Sequence, residues 1–281
     1  MKKRMRILMA ALSALLMLSA APAMAEESTE DSVTGDVTVS VLSAYIWRGQ
    51  ELSRHGAVVQ PSATVSYKGF TANIWGNLDL KPYSAFNEDL SKNYTETDVT
   101  LSYARQFGIV NAEAGYIYYA LAGGSTGAED LQDSQELYLS IGLDTLLAPT
   151  LTVYKDIDHY RQWYATLGIS HAFEFHKRVS LELAAQVSYL KSEDSDTYPE
   201  FNSSALATTE KFNNFHDGTI SASLPVSVTD RLTITPMLAY VFPLTKDAKY
   251  EMKGRGLKGS VFPSERDSAF LYGGVALSFS F

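Results

Sequence analysis

The stretch Arg178–Leu190 reads RVSLELAAQVSYL and alternates strictly between two kinds of side chain. Every second residue is apolar, and the residues between them are small or polar. Successive side chains of a β-strand point to opposite faces, whereas a helical face repeats about every 3.6 residues. The period of two therefore predicts a strand with one apolar and one polar face. The apolar face consists of Val179, Leu181, Leu183, Ala185, Val187 and Tyr189.

The same alternation recurs along the chain and predicts about twelve strands. They are expected near residues 37–47, 57–67, 70–79, 95–106, 109–120, 135–145, 149–156, 162–173, 177–190, 217–228, 231–242 and 269–281. Most are about ten residues long, which is the length that a tilted strand needs to cross a bilayer, whereas strands of soluble proteins average about five or six. Strand length therefore favours a membrane barrel over a soluble β-sandwich.

The connections between these strands are alternately short and long. The short ones lie at 68–69, 107–108, 145–149, 174–177 and 229–230. The long ones lie at 48–56, 80–94, 121–134, 157–161, 191–216 and 243–268. Every second connection of an antiparallel barrel emerges at the same rim, so one rim carries turns and the other carries loops. The sequence thus predicts an all-β fold, a transmembrane antiparallel up-and-down β-barrel of about 12 strands with both termini periplasmic.

The stretch Leu271–Phe281, LYGGVALSFSF, is again apolar at every second position. An unpaired strand edge costs several kcal/mol per backbone group in lipid, so this strand is expected to close against the first one. An apolar alternation that ends on phenylalanine also resembles the C-terminal signal read by the barrel assembly machinery of the outer membrane, which makes that machinery an expected partner. The residues of this signal are Phe281, Phe279, Leu277 and Val275.

The first 25 residues have the organisation of a secretory signal peptide. Four basic residues precede the short apolar run Ile7–Leu18, and Ala23-Met24-Ala25 forms a small-residue cleavage site. Residues 26–36 follow as an acidic periplasmic lead-in, and residues 37–281 form the predicted barrel. Export and barrel architecture together predict the outer membrane of a Gram-negative bacterium.

Charge and composition exclude several classes of partner. The net charge is −9, and it becomes −13 once the four basic residues of the leader are removed. Binding to nucleic acid depends on lysine and arginine at phosphates, so no nucleic acid is expected. The chain contains no cysteine, which excludes disulfides and thiolate metal sites.

Catalytic chemistry is not predicted. Ser170 and His171 are sequence neighbours and point to opposite faces of a strand, so they cannot form a nucleophile–base pair. No catalytic residues, no cofactor and no metal site are assigned, and the protein is not expected to be an enzyme. Two acidic loops leave Ca²⁺ or Mg²⁺ binding open, one of them as a bridge to lipopolysaccharide. Their residues are Asp156, Asp158 and His159 in one loop, and Glu129, Asp130, Asp133 and Glu136 in the other.

The polar faces of the strands define the candidate lumen. A charge at membrane depth must line water or find a partner. These side chains therefore either fill a narrow barrel as a bonded network or bias the ions that pass, and the acidic ones suggest a weak preference for cations. The expected lumen-lining residues are Arg48, Asn73, Asn77, Asp98, Glu113, Asp144, Glu182 and Gln186.

The segments Ser43–Ser53 (SAYIWRGQELS) and Val58–Asp79 resemble the TorF-type porin family of Gram-negative bacteria, a group of conserved hypothetical proteins. The resemblance covers about 40 residues and rests on an aromatic-x-aromatic-Arg-Gly stretch, a proline in the second strand, and Gly-aromatic and Trp-Gly pairs in the third. It implies an outer-membrane barrel with a channel role. The matching positions are Tyr45, Trp47, Arg48, Gly49, Pro61, Gly69, Phe70, Trp75 and Gly76.

Two functions remain after these exclusions. The first is an outer-membrane channel for passive passage of ions or small solutes. The second is a closed barrel with a structural or surface-interaction role through its extracellular loops. Both predict outer-membrane lipid and lipopolysaccharide as surroundings, and the sequence does not decide the oligomeric state.

Overall fold

The computed structural model describes residues 32–53, 56–80, 94–121, 133–256 and 262–281. The predicted signal peptide and most of the acidic lead-in lie outside these residues, as do the loop acids Glu129 and Asp130.

Twelve strands form one closed antiparallel barrel, as the alternation predicted. Each strand pairs with the next, and the last pairs with the first. The barrel strands are β1 (Thr34–Leu42), β2 (Val58–Tyr67), β3 (Phe70–Asp79), β4 (Tyr94–Phe107), β5 (Val110–Leu121), β6 (Ser134–Leu143), β7 (Thr150–Asp156), β8 (Gln162–His176), β9 (Val179–Ser192), β10 (Asn213–Ser223, extended by Val226–Ser227), β11 (Leu232–Pro243) and β12 (Phe270–Ser280).

Closure occurs between β1 and β12. Val37 lies opposite Phe279, and Val41 lies opposite Val275. Phe281 extends the ladder because its N–H donates to the Gly35 carbonyl at 2.9 Å, and the Gly35 N–H donates to the Phe281 carbonyl at 3.0 Å. Both edges of the sheet are thereby satisfied, which is the condition for a sheet in lipid.

The outer wall of the barrel is apolar all round. On β1 and β12 the paired side chains Val39 and Leu277 are 41% and 47% exposed, and Phe279 on β12 is as exposed as they are. The same arrangement continues on the opposite side with Leu139, Leu151 and Leu167. A continuous apolar surface of this size is stable only against hydrocarbon, so the wall faces a membrane.

The two rims differ in their connections, as predicted. The rim with short connections, called the turn rim, carries residues 68–69, 108–109, 144–149, 177–178 and 228–231. Lys68 and Gly69 have φ values of 50° and 84°, which is the two-residue turn whose twist matches that of paired strands. The opposite rim, called the loop rim, carries the longer connections and also 157–161, which is one residue shorter than the turn 144–149.

Three elements depart from the expected pattern. The first strand was predicted to reach residue 47 and ends at Leu42, because the chain then turns into the barrel. Within the connection between β11 and β12, Lys246–Arg255 forms the helix α1, followed by a 3-10 turn at Pro263–Glu265. Between β9 and β10, Pro199–Phe201 pairs with Ala207–Lys211. No helix among the described residues is both long and apolar enough to cross a membrane.

Candidate functional site

Residues 44–53 fold back into the barrel as a hairpin, called here the plug hairpin. Ile46–Trp47 pairs with Gln50–Glu51, and Arg48 and Gly49 form the turn between them with φ values of 46° and 76°. A side chain at Gly49 would place its Cβ 2.9 Å from the Cβ of Asp217 on β10. The tip of the hairpin therefore contacts the barrel wall, and glycine is required there for both conformation and space.

Arg48 anchors the hairpin to the opposite wall. Its Nη2 lies 2.6 Å from Glu136 Oε2 on β6, and both side chains are almost completely buried. The Tyr119 hydroxyl donates to the same carboxylate oxygen at 2.9 Å. Burial favours the neutral guanidine, but the Glu136 carboxylate outweighs this effect and raises the pKa of Arg48. The guanidinium is therefore a permanent positive charge inside the barrel.

Aromatic rings enclose the same guanidinium. Its central carbon lies 4.6 Å from the ring centre of Trp47 on the hairpin and 4.5 Å from that of Tyr164 on β8. The ring of Tyr154 on β7 is 5.3 Å away. Desolvated cation–π contacts of this kind are worth about 2 kcal/mol. The wall thus offers a carboxylate and two tyrosine rings that together fit a planar organic cation.

Tyr45 forms a second attachment of the hairpin. Its hydroxyl donates to Glu96 Oε2 on β4 at 2.8 Å, and its ring packs against Trp75 on β3 at 5.5 Å between centroids. Burial, reinforced by the Glu96 charge, raises the pKa of Tyr45 well above its ordinary value. The phenol therefore stays protonated and acts as a donor.

The helix α1 covers the hairpin from the loop rim. Thr245 caps its first turn, with Oγ1 accepting from the Ala248 N–H at 3.1 Å. Ala248, Glu251 and Met252 lie on the buried face of the helix. Met252 packs in the same apolar cluster as Tyr45. The plug hairpin and α1 are together called the plug.

Glu251 joins α1 to the hairpin and to the wall. It is fully buried, and its Oε1 accepts from the Tyr198 hydroxyl at 2.6 Å and from Gln50 Nε2 at 2.8 Å. Oε2 lies 2.8 Å from His216 Nε2 on β10. Arg255 Nε, one helical turn further along α1, lies 3.0 Å from Oε1. Glu251 therefore connects α1 to the plug hairpin, to Tyr198 and to β10 through one carboxylate.

His216 lies between two carboxylates. Its Nδ1 is 3.0 Å from Asp217 Oδ1, while its Nε2 faces Glu251. Asp217 Oδ1 also accepts from the Ser188 hydroxyl at 2.6 Å and the Tyr164 hydroxyl at 3.0 Å. An imidazole that donates from both nitrogens carries a positive charge. The network therefore links α1 to strands β8, β9 and β10 through charge-assisted hydrogen bonds.

The loop-side half of the barrel interior is a packed core. Inward side chains of the wall join the plug in two apolar clusters, and each fully buried one contributes roughly 1.5–3 kcal/mol. This differs from the small polar lumen face that the alternation predicted, since the plug supplies the partners these residues need. The wall members are Leu42, Val58, Trp75, Tyr164, Leu190, Met237, Ala239, Val241, Phe270 and Tyr272.

Part of the turn-side half, mainly on β3 to β5 and β8 to β10, has a small, polar and half-exposed lining. Glu113 Oε1 accepts from the Tyr138 hydroxyl at 2.5 Å, and Glu182 Oε2 accepts from the Ser223 hydroxyl at 3.3 Å. Asn73 Nδ2 donates to Thr64 Oγ1 at 3.0 Å. Short side chains leave space, so this half forms a vestibule that opens at the turn rim. Other half-exposed members are Ser66, Ser102, Ser170, Ala184 and Ser221.

The predicted lumen residues fall into three groups. Arg48, Asn77 and Asp98 are buried in the loop-side half. Asn73, Glu113, Glu182 and Gln186 lie on inward positions and are half-exposed. Asp144 was expected to point inward, but β6 ends at Leu143 and leaves Asp144 exposed in the turn 144–149.

Several residues of the site were not found from sequence. Glu136 was assigned to a surface loop, yet it lies on β6 facing Arg48. Its even spacing from Tyr138 and Ser140 on the inward face was the available signal. His216 and Glu251 carried no sequence signal, because they meet only after the barrel closes and α1 folds against it.

The residues weighed for other chemistry are placed as follows. His171 faces outward, with Nδ1 2.7 Å from the Leu146 carbonyl, whereas Ser170 faces the lumen. Asp156 Oδ1 accepts from the backbone N–H groups of Asp158 and Arg161 at 3.1 and 3.0 Å, so this carboxylate closes its own loop. Within the described ranges, no three Asp, Glu or His side chains converge as a metal site.

A closed antiparallel cylinder with an apolar outer wall and an inward-folded loop is the architecture of outer-membrane β-barrels. The fold is similar to that of the NanC porin, with a TM-score of 0.51 and 10% identity over 87% of this chain and 98% of that one. LpxR from Salmonella typhimurium gives a TM-score of 0.49 and 10% identity over 87% and 99% of the two chains. An outer membrane channel from Pseudomonas putida F1 gives 0.46 and 10% over 91% and 97%.

The chain belongs to the Gcw_chp family, described as a bacterial protein of unknown function, whose model matches residues 25–209. The matched range includes the segments Ser43–Ser53 and Val58–Asp79, on which the resemblance to TorF-type porins rests. Among curated proteins, none matches the sequence.

Proposed function

We propose that the protein is a channel in the outer membrane of a Gram-negative bacterium, through which ions or small solutes pass passively when the plug is displaced. The signal peptide at residues 1–25 exports the chain. The turn rim, with both termini, faces the periplasm, and the loop rim faces outward into lipopolysaccharide. The barrel assembly machinery inserts the barrel by reading its last strand. No catalytic activity is part of the proposal.

The observation that carries this proposal is that the plug, which is built from loop residues, fills the interior between the inward side chains of the wall. Neighbouring strands about 4.8 Å apart and tilted by about 40° give a twelve-stranded barrel a backbone radius of roughly 12 Å. Much of the inward wall consists of side chains as short as Thr38, Ser140, Thr152 and Ser278, which cannot span that distance. Displacement of the plug would therefore leave a continuous bore.

A closed barrel with a structural or surface role is the second candidate, and one observation favours it. Several buried polar contacts hold the plug, with Glu251 alone facing four partners. A plug held this firmly would stay in place under all conditions.

Planar-bilayer recordings of refolded protein separate the two candidates. We expect brief openings for the wild type and longer or more frequent openings for Arg48→Ala. Arg105→Ala is the matched control, because Arg105 lies on the exposed outer face of β4. If wild type and Arg48→Ala are both silent while their gel mobility still changes on heating, the channel proposal is overturned in favour of the closed barrel.

A further inference from the structure

The charged side chains of the twelve barrel strands are sorted by sign. Three strand residues are basic, and all three occupy outward positions: Arg105, Lys155 and Lys191. The ten acidic strand residues occupy inward positions. They are Asp36, Asp79, Glu96, Asp98, Glu113, Glu136, Asp156, Glu174, Glu182 and Asp217, of which Glu174 lies at the exposed turn-rim end of β8. Apart from the buried His216 of β10, the charged side chains on the inward face of the described strands are therefore all acidic.

Three of these carboxylates lie near the turn-rim ends of their strands. Asp36, Glu113 and Glu182 are each the third or fourth residue from the turn-rim end of their strand. They lie on β1, β5 and β9, which are separated by four strands each in the cyclic order of the barrel. The carboxylates are thus spaced by thirds of the circumference. With a backbone radius of roughly 12 Å, the lumen axis lies within about one Debye length of each of them.

Buried carboxylates face the same interior. Asp36 is 6% exposed, and its Oδ2 has no hydrogen-bond partner. Asp98 is 1% exposed, and its carboxyl group lies within hydrogen-bonding reach of that of Glu96. Glu96 is two residues away on the same inward face of β4, and no ion pair to either carboxylate is found within the described ranges. A buried carboxylate without a cationic partner is stabilised by a proton or by a cation.

Two cationic side chains do contact acidic side chains of the wall, one from the plug and one a histidine. Arg48 is bound at Glu136 between the rings of Tyr154 and Tyr164. His216 is bound at Asp217. The plug hairpin therefore occupies, with its own guanidinium, a place on the wall that fits a cation.

We propose that the bore admits cations in preference to anions, and that Asp36, Glu113 and Glu182 select them at the turn rim. This inference rests on the proposed channel function and adds its solute class, namely inorganic and organic cations. A lumen lined by one sign of charge and walled by low-dielectric material concentrates counter-ions and depletes co-ions.

Reversal potentials in a KCl gradient test the inference on the intact barrel. We expect wild type and Arg48→Ala to prefer K⁺ over Cl⁻ by about tenfold, the lower end of the counter-ion enrichment for such clefts. The triple variant Asp36→Asn/Glu113→Gln/Glu182→Gln should conduct with most of that preference lost. Asp144→Asn is the matched control and should keep it, because Asp144 is an exposed acid of the turn rim outside the lumen.

The outcomes separate this inference from the channel proposal. Conductance without cation preference, or with chloride preference, overturns the inference and leaves the channel in place. A triple variant as selective as wild type overturns the role of these three carboxylates. If the triple variant fails to fold, the wild-type reversal potential still decides the solute class. Silence of both wild type and Arg48→Ala overturns both proposals.

Discussion

The guanidinium of Arg48 lies 2.6 Å from the carboxylate of Glu136, although 88 residues separate the two in sequence. The pair connects the tip of a folded-in loop to a strand of the wall, and both partners are buried. Taking two charges out of water is costly, and their attraction repays that cost only when geometry and further hydrogen bonds are good. Tyr119, Tyr154 and Tyr164 supply those further contacts. The position of the plug therefore depends on this pair.

Removal of either partner of this pair should destabilise the barrel by about 3–5 kcal/mol, because the remaining charge stays buried without a counter-ion. We expect this for Arg48→Ala and for Glu136→Ala, measured by denaturant unfolding in detergent. The double variant should cost clearly less than the sum of the two single variants. Additive costs would show that the two side chains are not energetically coupled.

Gly49→Ala should loosen the plug hairpin. The substitution costs about 1–3 kcal/mol for a non-glycine residue at positive φ, and its Cβ also meets Asp217 at 2.9 Å. Gly108→Ala is the matched control, because Gly108 has a φ of 63° and no atom within 4 Å of an added Cβ. Spin-label mobility at Leu52 should rise in the first variant only. Equal mobility in both variants would contradict the close contact at the hairpin tip.

Glu251→Gln should release α1 from the wall. The substitution removes the charge that faces His216 and Arg255, and hydrogen bonds to charged groups are worth about 1.5–3 kcal/mol. Limited proteolysis should then cleave after the lysines of α1 at a higher rate than in wild type. Lys249→Gln, an exposed position of the same helix, serves as the control for surface charge and should stay protected at the remaining sites. Unchanged cleavage in Glu251→Gln would mean that apolar packing alone holds the helix.

Nitroxide labels on β9 should report the two faces of the wall. A label at Leu183 should be accessible to oxygen in hydrocarbon, because Leu183 points outward and is 42% exposed. A label at Ala184 should be accessible to a water-soluble nickel reagent, because Ala184 lines the vestibule. The adjacent positions make each label the control for the other. The reverse accessibilities would mean that Leu183 faces water and Ala184 faces lipid. That result would contradict the assigned faces of the wall and remove the basis of the channel proposal.

The strands could be predicted from local sequence because facing depends only on whether a position is odd or even. Leu181 and Glu182 are assigned to opposite faces by that rule alone, and the structure places them so. The rule fails where an element ends. Asp144 continues the inward parity of β6, yet the strand stops one residue earlier and the side chain is exposed. Strand ends depend on where partners stop pairing, which is a property of the closed barrel.

The sequence by itself determined a closed β-barrel with a lipid-facing outside. The features that did so are the alternation of side chains, the sorted lengths of the connections and the apolar last strand. Each of them depends only on neighbours along one strand or on the next hairpin. Only the tertiary structure decided that the interior is closed on the loop side. Arg48 meets Glu136, and His216 meets Glu251, although 88 and 35 residues separate them in sequence. Such contacts depend on where barrel closure places the strands and on how two loops fold inward. A local periodicity of the sequence predicts neither of these.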